Sequence, residues 1–173
     1  MKPPEAREQH RRQENAKKAK EAADELFPGE KWIPVEGEEH IYLSPRRPVG
    51  EKSNYKEELR DAGSTVYLAP EKRSDPGKKY DAIVDGQKFE FKNIRGKENA
   101  LIHQFLRSRL QAPNVFINLE ASNLARREIM AALYGARNSP VYGDYCGFSG
   151  GKIVLKIKGQ TSLIYLNVDD LQV

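Results

Sequence analysis

Alternation of apolar and polar positions is clearest in the middle of the chain. From Lys79 to Lys92 the sequence reads KYDAIVDGQKFEFK, two short runs of period two joined at Asp85-Gly86. Asp-Gly tolerates the positive φ that a two-residue loop needs, so the stretch predicts a β-hairpin. With that loop Val84 faces Gln87, and Asp81 falls opposite Glu90. Side chains alternate, so Asp81, Ile83, Lys88, Glu90 and Lys92 share one face. Tyr80, Ala82, Val84, Phe89 and Phe91 take the other, which is expected to be the core side and to leave Glu90 pointing away. A loop at Gly86-Gln87 sets Asp81 opposite Lys92 but keeps both faces. A three-residue loop would separate Asp81 from Glu90.

Other patterns surround this hairpin. Residues 1–27 favour helix, yet the inward side offers mostly Ala16, Ala19 and Ala23 before Leu26 and Phe27, so a solvated or partly disordered helix is expected. Residues 28–52 read as a loop with short strands at Trp32-Ile33 and Ile41-Leu43. Ser53 or Asn54 caps a helix to about Ala62 that stops at Gly63. Thr65–Ala69 is a strand. Asn99 caps a helix to about Gln111, closed by Pro113. Leu101, Ile102, Phe105, Leu106 and Leu110 form its apolar arc, opposite His103, Gln104, Arg107 and Gln111. Arg109 falls inside the arc, either running along a sheet edge or turning out as a phosphate clamp. Val115–Leu119 is a buried strand. A helix runs from Ser122 or Asn123 to about Tyr134, with Ala125, Ile129 and Leu133 inward. A loop spans Asn138–Gly151, and a second hairpin, Lys152–Lys158 and Thr161–Asn167, turns at Gly159-Gln160. The order is helix, strand, hairpin, helix, strand, helix, hairpin: an α/β fold with a mixed β-sheet flanked by helices. Two parts are expected, a charged extension over 1–50 and the functional domain over 51–173.

Composition sharpens this. The chain has 173 residues, a net charge of +4 and 31% charged residues. The basic excess favours a polyanionic partner. The first twenty residues hold seven Lys or Arg against three Glu, which suits a basic arm as well as a solvated helix. One cysteine, Cys146, excludes an internal disulfide framework and a cysteine-based zinc cluster. No apolar run is long enough to span a membrane, and the N-terminus lacks the apolar core of a signal peptide.

The hairpin carries the candidate chemistry. Two carboxylates a few ångströms apart repel unless a cation or proton lies between them. Mg²⁺ would relieve that repulsion, with one or two carboxylates and the rest of its shell from water and phosphate. Lys92 beside them would steady a developing charge or position the attacking water. An ordinary cross-strand ion pair on a solvated face gives the same string.

At these residues the chain resembles the PD-(D/E)xK nuclease superfamily: Asp81, then Glu90-Phe91-Lys92, with Tyr80 where that family usually has proline. The wider run is similar to the C-terminal nuclease domains of contact-dependent growth inhibition and other polymorphic toxins. The landmarks are Val66-Tyr67-Leu68-Ala69-Pro70-Glu71, Tyr80 to Lys92, Gln104, Gln111 and Val115-Phe116-Ile117-Asn118-Leu119. The resemblance covers about residues 54–173 and leaves the first fifty unexplained. It implies a restriction-endonuclease-like core and a toxin endonuclease that cuts tRNA more readily than DNA. Asp81 and Glu90 would hold Mg²⁺, and Lys92 would act on the water. Gln104 and Arg109 would contact the scissile phosphate, aided by His103, Arg107 and Arg95. An acidic residue of the first helix, Glu57 or Glu58, would complete the site. It also implies a cognate immunity protein, a possible host translation factor, and delivery from a larger surface toxin into the target-cell cytoplasm.

Two other readings stay open. A metal-independent ribonuclease of barnase or colicin type would use Lys92, His103 and Arg107, with the RNA 2′-OH as nucleophile. A nucleic-acid-binding or phage-associated module would keep the fold without activity.

Overall fold

In the computed structural model the described residues are 4–37, 39–46, 56–70, 80–146, 148 and 150–171. The chain divides into two compact units, Met1–Pro76 with Asp81–Lys88 and Gly77–Tyr80 with Phe89–Val173. The boundary expected at residue 50 falls outside the described residues, as do the proposed caps Ser53 and Asn54.

The first unit holds α1 (Pro4–Leu26), β1 (Ile33–Pro34), β2 (Ile41–Leu43), α2 (Lys56–Asp61), β3 (Val66–Leu68) and β4 (Ala82–Val84). Its strands run in the order β1-β2-β3-β4, with β2 parallel to β3 and the other pairs antiparallel. α1 is a continuous and mostly exposed helix, the solvated form of the expectation. Its alanine stripe suffices, because Ala19 and Ala23 are fully buried. Ala22 lies so near the β4 turn that a Cβ on Gly86 would stand 3.2 Å from it. Beside it, Trp32 meets Phe27 and Tyr67 edge-on, and Tyr42 stacks on Tyr67 at 4.7 Å. α2 ends as expected at Gly63, which takes a φ of 95°.

The turn after β4 has the anticipated form. Asp85 and Gly86 both take positive φ, 50° and 86°. Asp85 accepts from the Thr65 N–H through Oδ1 at 2.8 Å and donates its own N–H to the Thr65 carbonyl at 3.0 Å. An aspartate there closes the turn and ties it to β3 in one step.

The second unit contains most of β5 (Gln87–Asn93), then α3 (Glu98–Ser108), β6 (Asn114–Leu119), α4 (Arg126–Arg137), the short α5 (Tyr142–Tyr145), β7 (Lys152–Ile157), β8 (Ile164–Asn167) and a 3₁₀ turn at Val168–Leu171. β5, β6 and β7 are parallel neighbours and β8 closes antiparallel, so this sheet is also mixed. Leu101 and Phe105 of α3, Ile129 and Leu133 of α4, Val115 and Ile117 of β6 and Ile153 and Leu155 of β7 form one core. Two helices cover one face of a parallel strand set, as crossover connections require. The element order matches the pattern-based expectation, with α5 added.

The helix ends differ in detail. α3 begins at Glu98 with Lys97 as its N-cap, not Asn99. α4 begins at Arg126, because Ser122 is engaged elsewhere: its hydroxyl donates to the Gly96 carbonyl at 2.9 Å and accepts from the Leu124 N–H. Ala125, expected inward, is the exposed N-cap.

Candidate functional site

β5 places two of the three expected catalytic residues. Glu90 lies level with Val115 and Lys92 level with Ile117 in the parallel register. Neighbours in register share a face, so Glu90 and Lys92 lie on the face that carries the helix-packed core. Glu90 is only 6% exposed, and Lys92 is half-buried. The expectation that Glu90 points away from the core is therefore corrected. Phe91 takes the opposite face and meets Phe116 edge-on at 6.1 Å. Both faces of β5 are buried, with Phe89 at 4% and Phe91 at 8%. In a strand covered on both sides, alternation tells which residues go together and not which side is wet.

Asp81 belongs to the first unit. It is half-buried one residue before β4, and its carbonyl accepts from the Ala69 N–H at 2.9 Å. Glu58 is half-buried on α2, and the side chain of Glu57 lies outside those described. Among the described residues no group of three or more His, Cys, Asp or Glu is close enough to hold a metal. A Mg²⁺ ion here would rest on one or two carboxylates, which its preference for water and phosphate oxygens permits.

The expected substrate residues separate into two groups. His103 and Arg107 are exposed on α3 four residues apart, hence on one side of it, with Gln104 half-buried between them. Arg95 is exposed on the loop before α3. Arg109 is fully buried, and neither posture expected of it is found. Its guanidinium donates to the carbonyls of Pro113, Phe148 (3.1 Å) and Gly150 (2.7 Å), and to Cys146 Sγ at 3.7 Å. Arg109 thus ties the end of α3 to the loop before β7.

Reading the sequence did not identify Cys146 and Tyr142 as members of this cluster. The Cys146 thiol donates to the Phe148 carbonyl at 2.6 Å. Burial pushes its pKa up, but hydrogen bonding with Tyr142 and Arg109 outweighs that and leaves the thiol below its usual range. Burial, then the bond to Cys146, pushes Tyr142 up to about 12. The Arg137 guanidinium lies over the Tyr142 ring, 4.5 Å from its centre. The one available signal was a charged residue at position 109 within an apolar arc.

No protein-family model matches the chain, and no curated protein is detectably similar. Among solved structures it is similar to the CdiA-CT/CdiI toxin and immunity complex from Burkholderia pseudomallei. The identity is 16%, over 73% of this chain and 97% of that one, with a TM-score of 0.49. A likeness of that degree does not carry an activity across.

Proposed function

We propose that this chain is a toxin endonuclease that hydrolyses phosphodiester bonds in nucleic acid, tRNA in preference to DNA. The observation that carries the reading is Glu90, a buried carboxylate on β5 with Lys92 beside it on the same face. An ionisable pair held in such surroundings is a candidate for chemistry. Asp81 is assigned as the second carboxylate by the D…E-x-K string of the sequence, Asp81 followed by Glu90-Phe91-Lys92. In this reading Asp81 and Glu90 would hold Mg²⁺, which would supply Lewis-acid chemistry at the phosphate and at the attacking water. Lys92 positions that water, and Arg95, His103, Gln104 and Arg107 meet the backbone. A toxin of this kind requires an immunity protein in the cell that makes it and reaches its target as part of a larger secreted polypeptide.

The test is cleavage of tRNA and of duplex DNA with and without EDTA. Cutting abolished by EDTA supports the metal-assisted reading. EDTA-resistant cutting of RNA favours the metal-independent ribonuclease, for which the exposed His103 and Arg107 on one side of α3 are suitably placed. Cutting of neither substrate overturns both. Because Glu90 is buried, the informative variant is Glu90→Gln, which keeps its volume. It should lower cleavage about a hundredfold or more while leaving the melting temperature nearly unchanged.

A further inference from the structure

Two helices of the second unit begin with cations where the helix rules favour the opposite. Lys97 is the N-cap of α3, and no side chain caps that end. Arg126 and Arg127 are the first two residues of α4. The unsatisfied N–H groups of a helix start carry partial positive charge, so a Lys or Arg there costs stability. All three are exposed.

The fold brings these starts together. Ser122, fully buried, donates its hydroxyl to the Gly96 carbonyl at 2.9 Å and so joins the loop before α3 to the loop before α4. Arg95 is exposed on the first loop. Lys158 reaches the second, where its Nζ donates to Asn123 Oδ1 at 3.1 Å. Arg95, Lys97, Arg126, Arg127 and Lys158 thus surround one clamp, and among the described residues none of them forms an ion pair. Of the carboxylates on the same turns, Glu128 is exposed, accepts the Ala125 N–H at 2.9 Å and has the charge of Arg127 near it, while Glu98 is half-buried; the two offset only part of the five positive charges. Local rules broken without structural return mark a functional surface.

We infer that this strip is a binding surface for a nucleic-acid backbone, gripping phosphates outside the cleavage centre. The arginines suit phosphate because a guanidinium can donate to two oxygens at once. The inference deepens the proposed nuclease function and rests on that reading for its substrate class, but its test needs no cleavage.

The experiment measures binding of a fluorescent tRNA in EDTA, across a range of salt concentrations, by anisotropy. The triple variant Lys97→Gln, Arg126→Gln, Arg127→Gln should bind about tenfold or more weakly, and its slope of log affinity against log salt should fall by about 2. A control removing the same charge from exposed positions of α1, Arg11→Gln, Lys17→Gln, Lys18→Gln, should change the slope little. An unchanged slope in the first variant, or an equal fall in both, overturns the inference and leaves the nuclease reading standing. No RNA binding by the wild-type protein, or binding only to vesicles containing phosphatidylserine, also overturns it. Salt-dependent binding lost in the first variant, in a wild-type chain that cuts nothing, upholds the strip and sinks the nuclease.

Discussion

Arginine is used in opposite ways in two regions of the second unit. Around Arg109 the guanidinium is fully buried and bonded to three carbonyls and a thiol. At the start of α4, Arg126 and Arg127 are exposed, make no ion pair within 4 Å among the described residues, and sit at the unfavourable end of a helix, with only Arg127 acting on Glu128 through its charge. The first arrangement satisfies loop carbonyls that would otherwise be stranded. The second opposes the fold. The difference teaches that a charge count says little about function until each charge is sorted by what it holds.

The severest disruption of the clamp is Gly151→Ala. Gly151 has a φ of 109°, and a Cβ there would overlap the Pro113 carbonyl, the group Arg109 also grips. That carbonyl cannot yield, since it is backbone. The expected loss exceeds about 4 kcal/mol, read as absence of a folded, cooperatively melting protein. Next comes Arg109→Met, which keeps the apolar stem and takes the guanidinium donor away from the carbonyls of Pro113 and Gly150. A loss of about 3 kcal/mol or more is expected, since each buried polar group left unpaired costs about 1–3 kcal/mol. A denaturant midpoint within error of wild type would show that Arg109 does not hold the loop.

An intermediate case lies in the first unit. Arg46, half-exposed, pairs with Glu30 at 2.6 Å, and Glu30 also accepts from the Ser44 hydroxyl at 2.5 Å. Burial pushes the Glu30 pKa up, but the bonds from Arg46 and Ser44 prevail and hold it below the usual carboxylate range. The pair's contribution is therefore complete above the pKa of an unfolded glutamate and is lost as pH falls through the lower, folded value. Wild type and Arg46→Gln should differ most in melting temperature near neutrality and converge in acid. Curves that stay parallel down to pH 3 would show that the pair does not couple to folding.

These contrasts also mark what the sequence could tell. The two-residue turn was legible because Asp85-Gly86 has few other uses, and the element order followed from period and punctuation. The face of Glu90 was not legible, because Phe89 and Phe91 look like a core side whether or not the other side is also covered. Arg109 stood out in an apolar arc, but its partners come from 113 and 146–150, separations that local pattern does not reach. The late start of α4 depended on Ser122 reaching Gly96, again a long-range bond.

The smallest effect has the most diagnostic sign. Arg126→Glu with Arg127→Glu puts carboxylates where the helix start favours them, so the melting temperature should rise by a few degrees at low salt. The gain should shrink as salt screens the interaction. The loss of Arg127's charge beside Glu128 works against part of the gain, and no buried contact is disturbed, since neither side chain is buried. The same change reverses the charge of the strip and should abolish RNA binding. A protein made more stable and less able to bind by one pair of substitutions would show that these arginines are kept for their ligand. If stability fell instead, the two would have structural partners, and the contrast with Arg109 would collapse.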